Sequence, residues 1–181
     1  MSDTPENSPG APAAAGAGAA PAGQGPALMV LAQYLKDLSF ESPAAPMCFQ
    51  DSTPPQMSVN VDLNRNNLGP DQYEVELSVS AKAERNSETV FIVEAAYAGV
   101  FEIKNVTPEQ LQVAIAVECP KILFPFLRQI LANATQNGNF PPLMIEPIDF
   151  AGNYMRSLMQ QQQAQAAAGG GEAAPGQAPV A

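Results

Sequence analysis

The chain has 181 residues, with 8 basic side chains against 18 acidic ones and a formal charge of -10. The attraction that drives phosphate binding therefore points the wrong way, and nucleic acid is not an expected partner. With no His, no Trp and only two cysteines, Cys48 and Cys119, His-based triads and most metal-ligand sets are excluded, and two distant thiols make neither a disulfide framework nor a redox pair.

Residues 1–27 are Ala, Gly, Pro, Ser and acid, and the same composition returns over 164–181. Neither stretch offers enough apolar surface to offset the entropy of ordering, so both read as disordered tails. Residues 28–163 between them have the length of one domain with one core. The first basic residue is Lys36, so the start of the chain has no charged region of a secretion signal. No uninterrupted apolar run approaches the roughly 20 residues that span a bilayer. A soluble cytoplasmic protein without membrane insertion is expected.

The first strand candidate is Gln33–Glu41, with Tyr34, Leu38 and Phe40 on one face and Asp37, Ser39 and Glu41 on the other. Ser42-Pro43-Ala44-Ala45-Pro46 ends it. Met57 to Leu63 is a second extended piece, either a strand or a crossover, with Met57, Val59, Val61 and Leu63 on one side. The cluster Asn64 to Pro70 reads as a loop.

The clearest alternation runs from Tyr73 to Ala83, where Tyr73, Val75, Leu77, Val79, Ala81 and Ala83 face in and Glu74, Glu76, Ser78, Ser80 and Lys82 face out. Arg85-Asn86-Ser87 is a hairpin tip, and Glu88 to Ala96 returns antiparallel. On that strand Phe91, Val93, Ala95 and Tyr97 share one face, and Val90, Ile92, Glu94 and Ala96 the other. Gly99 reads as a bulge or bend.

Thr107-Pro108-Glu109-Gln110 combines an N-cap, a proline at the first helical position and a capping-box Gln, so a helix starts at Pro108. Pro120 is expected to interrupt it. Lys121 to Gln136 reads as a second helical stretch with Pro125 in its first turn, ended by Asn137-Gly138. A last helix runs from about Phe150 to Gln163. Strands precede helices, so the fold class is α+β with an antiparallel sheet and helices packed on one face, a four-stranded sheet when Met57 to Leu63 is counted as a strand.

Little here carries reaction chemistry. Glu74 and Glu76, two apart on a strand, are explained by a solvated sheet face, and no glycine-rich phosphate loop appears. Phe40, Phe49, Met57, Val59, Val61, Phe150 and Tyr154 lie on separate elements flanking the sheet. They either close the core or converge on an apolar groove.

Tyr34-Leu35-Lys36-Asp37-Leu38-Ser39-Phe40-Glu41, with Pro43, Pro46 and Phe49-Gln50, resembles the first block of the SecB protein-export chaperones. Glu118-Cys119-Pro120-Lys121-Ile122-Leu123-Phe124-Pro125-Phe126 and Gly138-Asn139-Phe140-Pro141-Pro142-Leu143 are similar to that family's CP-x-ILFP and G-x-FP-x-L segments. Tyr73-Glu74-Val75 opens the long strand as in the family. The resemblance covers about Tyr34 to Gln162.

The resemblance implies a homotetramer, a dimer of dimers with helices between two sheets, and an ATP-independent holdase with no catalytic residue, metal or cofactor. Its partners would be unfolded preproteins and the SecA motor ATPase. By position, Met57, Val59, Val61, Leu143, Phe150 and Tyr154 match the client groove, which Phe40 and Phe49 would extend. Asp37, Glu41, Ile92 and Glu94 match the surface that engages SecA, and Val93, Ala95 and Tyr97 match tetramer contacts. The competing readings are a scaffold oligomer without client binding and a carboxylate hydrolase.

Overall fold

The structure, a computed structural model, describes residues 25–169. Most of both expected tails lies outside the described residues. Four strands, β1 (Ala27–Glu41), β2 (Gln56–Gly69), β3 (Gln72–Arg85) and β4 (Glu88–Lys104), form one antiparallel sheet in the order β1-β4-β3-β2. The β3–β4 return is made at Asn86 and Ser87, both at positive φ (51° and 65°). Such a turn matches the right-handed twist of the strands it joins.

The alternation of β3 holds. Val75, Leu77, Ala81 and Ala83 are fully buried on the inner face, under the helices. β4 runs past Ala96 to Lys104 because Phe101 and Ile103 continue its buried row. Gly99 is not at a bulge or bend: it pairs in register with Gln33 and Val75. A Cβ there would come 2.8 Å from Phe101 Cε2 and 3.0 Å from Leu123 Cδ2, so the glycine makes room for two core side chains.

β1 corrects the expected alternation. It begins at Ala27, and its pairing with β4 slips between Val30 and Ala32 and again between Leu35 and Asp37. Each slip leaves an extra residue on β1 and reverses which face follows. Tyr34 pairs with Ala98, itself paired with Glu76, and so lies on the outer face, whereas Leu38 and Phe40 lie on the inner one. Tyr34 therefore does not share a face with Leu38 and Phe40. Asp37 and Glu41 remain on the outer face together. β2, left open between strand and crossover, is a full edge strand that includes Asn64 to Gly69, so the expected loop there is strand.

α1 (Pro108–Val113) starts as its sequence predicts: Thr107 Oγ1 accepts from Gln110 N at 3.3 Å, and Gln110 Oε1 accepts from Thr107 N at 2.9 Å. The helix does not break at Pro120. A wider π-type turn, Ala114–Glu118, leads directly into α2 (Cys119–Asn137), with Cys119 N bonded to Ala114 O. That turn absorbs the missing N–H and ring of Pro120, which a regular turn would set against the preceding carbonyls. Pro125 thus falls inside α2 rather than at the start of a new helix.

The joined stretch Pro108–Asn137 is long and apolar enough to cross a membrane, with mean hydropathy 1.3 over its most apolar window, of which 44% is buried in the fold. Leu123, Leu127 and Leu131 repeat every four residues and are fully buried, which is the pattern of a core helix. α3 (Phe150–Gly169) extends beyond the expected end near Gln163. It is anchored by Phe150, whose ring meets Phe124 edge-on at 6.1 Å.

The position of α2 decides what stays open. It packs mainly on β4 and β3, the two central strands. The inner faces of both edge strands are left with exposed apolar rows: Leu35 and Leu38 on β1, and Met57, Val59, Val61 and Leu63 on β2.

Candidate functional site

The β2 row arises from simple alternation, since Met57, Val59, Val61 and Leu63 pair with the buried Ala83, Ala81, Val79 and Leu77. Each is 37 to 41% exposed, so the row is a half-covered apolar shelf. Facing it is the segment between α2 and α3. At one end Phe49, Met57, Phe140, Pro141, Pro142 and Leu143 line a cavity of about 560 Å³. Towards the other end Val61, Leu63, Ile148, Phe150 and Tyr154 line one of about 340 Å³.

Seven of the eight expected groove residues thus lie along one shelf. Val59 lines neither cavity but stands between Met57 and Val61 on the same face. Phe40 is the exception. It is half-buried, stacked on Phe91 at 5.9 Å and tilted against Phe140 at 6.2 Å, so it backs the groove wall and does not line either cavity. Leu63, Phe140 and Ile148 were missed. The signal for Leu63 was present, because it continues the period-2 row, whereas the other two sit in a proline-rich segment with no periodicity.

The outer face carries the charge. Asp37, Glu41, Ile92 and Glu94 all lie on it: Asp37 pairs with Ala96, Glu41 with Ile92, and Ser39 with Glu94. Glu94 accepts a 2.9 Å hydrogen bond from Ser80 Oγ. Among the described residues, none of Asp37, Glu41 and Glu94 makes a salt bridge.

Glu74 and Glu76 are not simply solvated. Lys36, the extra residue at the second slip of β1, reaches Glu74 at 3.0 Å and Glu76 at 2.6 Å. Glu74 also accepts from Asn66 Nδ2 at 2.8 Å and is only 8% exposed. Hydrogen bonds from Tyr34, Asn66 and Lys36 hold its pKa down at about 2. A carboxylate held this firmly ionised is a poor general acid or base near neutral pH. Among the described residues no group of three or more Cys, Asp and Glu side chains is placed to hold a metal ion.

Val93 and Ala95, expected at a tetramer contact, are 0% and 3% exposed beneath this chain's own helix layer. Of that trio Tyr97 alone is not buried, and it stacks at 5.7 Å on the half-exposed Phe126. Burial of the other two follows from the inner-face alternation of β4, which α2 covers.

A central pair of strands sealed by one helix, with a half-covered apolar shelf along an edge strand, defines a small α+β protein. The description "Preprotein translocase subunit SecB" matches residues 21–163. The chain is 48% identical over 137 residues to the protein-export protein SecB of Bartonella quintana, covering 75% of this chain and 87% of that one. It is 49% identical over 144 residues to the SecB of Bradyrhizobium diazoefficiens, covering 79% and 88%. A Mycobacterium tuberculosis SecB-like chaperone, solved in complex with a peptide from the HigA1 antitoxin, shares the fold with a TM-score of 0.54 at 16% identity, covering 67% of this chain and 88% of that one. The chain belongs to the SecB family of protein-export chaperones.

Proposed function

We propose that the protein is an ATP-independent holdase that lays apolar segments of unfolded preproteins along the β2 shelf and delivers them to the SecA motor. The observation that carries this reading is the half-covered row Met57, Val59, Val61 and Leu63 facing Leu143 and Tyr154 across two cavities. Apolar area covered there gains roughly 25 cal/mol per Å², and many weak contacts along one chain add up to avidity. Met and aromatic linings adapt to varied sequences.

The outer-face carboxylates Asp37, Glu41 and Glu94, with Ile92 beside them, would attract a basic module of SecA and raise its association rate. The exposed inner face of β1 and the Tyr97–Phe126 stack offer surface for a homotetramer, with Val93 and Ala95 supporting that layer from within. The protein would act in the cytoplasm, without catalysis of its own.

The test is light scattering of an aggregating unfolded preprotein at stoichiometric tetramer. Wild-type protein is expected to suppress the signal, and Val59→Asp with Val61→Asp to lose most of that effect while keeping the circular dichroism of the fold. No suppression by the wild type would establish the scaffold reading instead. Equal suppression by the variant would move the site away from β2.

A further inference from the structure

The wall of the larger cavity contains two consecutive prolines, Pro141 and Pro142, which have no backbone N–H. The nearest donors on either side are the N–H groups of Phe140 and Leu143, and both end on one residue. Phe140 N donates to Thr135 O at 3.1 Å, and Leu143 N donates to Thr135 Oγ1 at 2.9 Å. Thr135 is fully buried in the last turns of α2. Its hydroxyl proton is directed back to the helix, with Leu131 O at 3.0 Å and Ala132 O at 3.1 Å.

We propose that Thr135 is the positioning residue of the groove, clamping the Phe140–Leu143 wall from both sides of its proline pair. The proposal rests on the groove reading above. A hydroxyl inside a helix ordinarily competes with the helix's own bonds and is neutral or unfavourable there. Here the same oxygen has a second task, since it accepts the Leu143 N–H that ties the far end of the wall to the core. Neither a valine nor an alanine at 135 can accept that bond, and Leu143 N–H would be left without its partner beside the cavity. A wall free to shift presents Leu143 and the prolines to a bound segment in many arrangements, and affinity falls with lost preorganisation.

Amide hydrogen exchange on the intact protein tests this without a client. In the wild type the Leu143 amide is expected to be protected although its neighbours Pro142 and Met144 are exposed; an unprotected Leu143 amide would overturn the proposal. Thr135→Val should speed exchange at Leu143 about tenfold, the scale of one lost buried hydrogen bond, and leave Phe140, bonded to the backbone oxygen, unchanged. The variant should release an unfolded preprotein several-fold faster, and Thr135→Ser should restore both readouts. Unchanged exchange at Leu143, or unchanged release from Thr135→Val while Leu143→Ser weakens binding, would refute the positioning role. If Leu143→Ser also leaves binding unchanged, it is the groove reading that fails.

Discussion

Tyr34 Oη donates a 2.6 Å hydrogen bond to Glu74 Oε1, reaching from β1 to β3 over the intervening strand β4. The reach is possible because the residue crossed is Ala98, paired with Tyr34 on one side and Glu76 on the other, and its methyl group leaves the space free. With Lys36 from β1 and Asn66 from β2 bonded to the same carboxylate, Glu74 links both edge strands to the centre of the sheet. The outer face therefore has a structural end around Glu74 and a free acidic end around Asp37, Glu41 and Glu94.

Removing the Tyr34 hydroxyl should cost stability without touching either face's function. Tyr34→Phe is expected to lower unfolding stability by about 1 kcal/mol, reduced from the usual value for a bond to a charged group because the ring is partly exposed. Urea denaturation measures it. No change in the midpoint would mean that the cross-sheet link contributes nothing.

The same carboxylate sets a pH dependence. Its pKa is lowered from 4.5 to about 2 in the folded chain, so the unfolded chain binds the proton more tightly. The stabilisation is complete above the unfolded value of 4.5 and is lost as pH falls towards 2. Wild-type urea midpoints should drop across that window, and Glu74→Gln should flatten the drop while being less stable at neutral pH. Parallel curves for the two proteins would refute this assignment.

Gly138 closes α2 at a φ of -76°, which any residue can adopt, so its role is space. A Cβ there would run into the ring of Phe40, which is itself held by stacking on Phe91 and by tilted contact with Phe140. Gly138→Ala should destabilise by about 2 kcal/mol, the scale of an overpacked core, and lower the thermal midpoint by several degrees. Unaltered melting would show that the aromatic group yields at no cost.

For the proposed SecA contact, Asp37→Lys with Glu41→Lys should weaken binding of SecA several-fold at low salt and less at high salt, because exposed charges are screened. The solution mass should not change. Equal affinity at low ionic strength would remove the outer face of β1 from the interface.

Cys119 is fully buried, and burial, with Glu118 beside it, pushes its thiol up to about 12. A thiol reagent at pH 7 is expected to modify it only at the rate of unfolding, as counted by mass spectrometry with and without denaturant. Fast labelling of the native protein would contradict this packing.

Local chemistry was legible wherever one rule acted alone. The β3 alternation, the Thr107 and Gln110 cap, the hairpin at Asn86-Ser87 and the apolar row on β2 all follow from neighbours in the chain. The spaced Cys119–Phe126 and Gly138–Leu143 segments pointed to the SecB family because their proline and aromatic order is specific. Only the tertiary structure decided the rest. An inserted residue at Lys36 reverses the faces of β1, and its cause is the pairing with β4, which period-2 reading within one strand cannot see. Pro120 is accommodated by a wider turn because the apolar stripe on either side is held down on the sheet. Alternation alone made Val93 and Val59 look equally apolar. One is sealed and the other open because a single helix is wide enough to cover two strands of a four-stranded sheet, and that width is a property of packed layers.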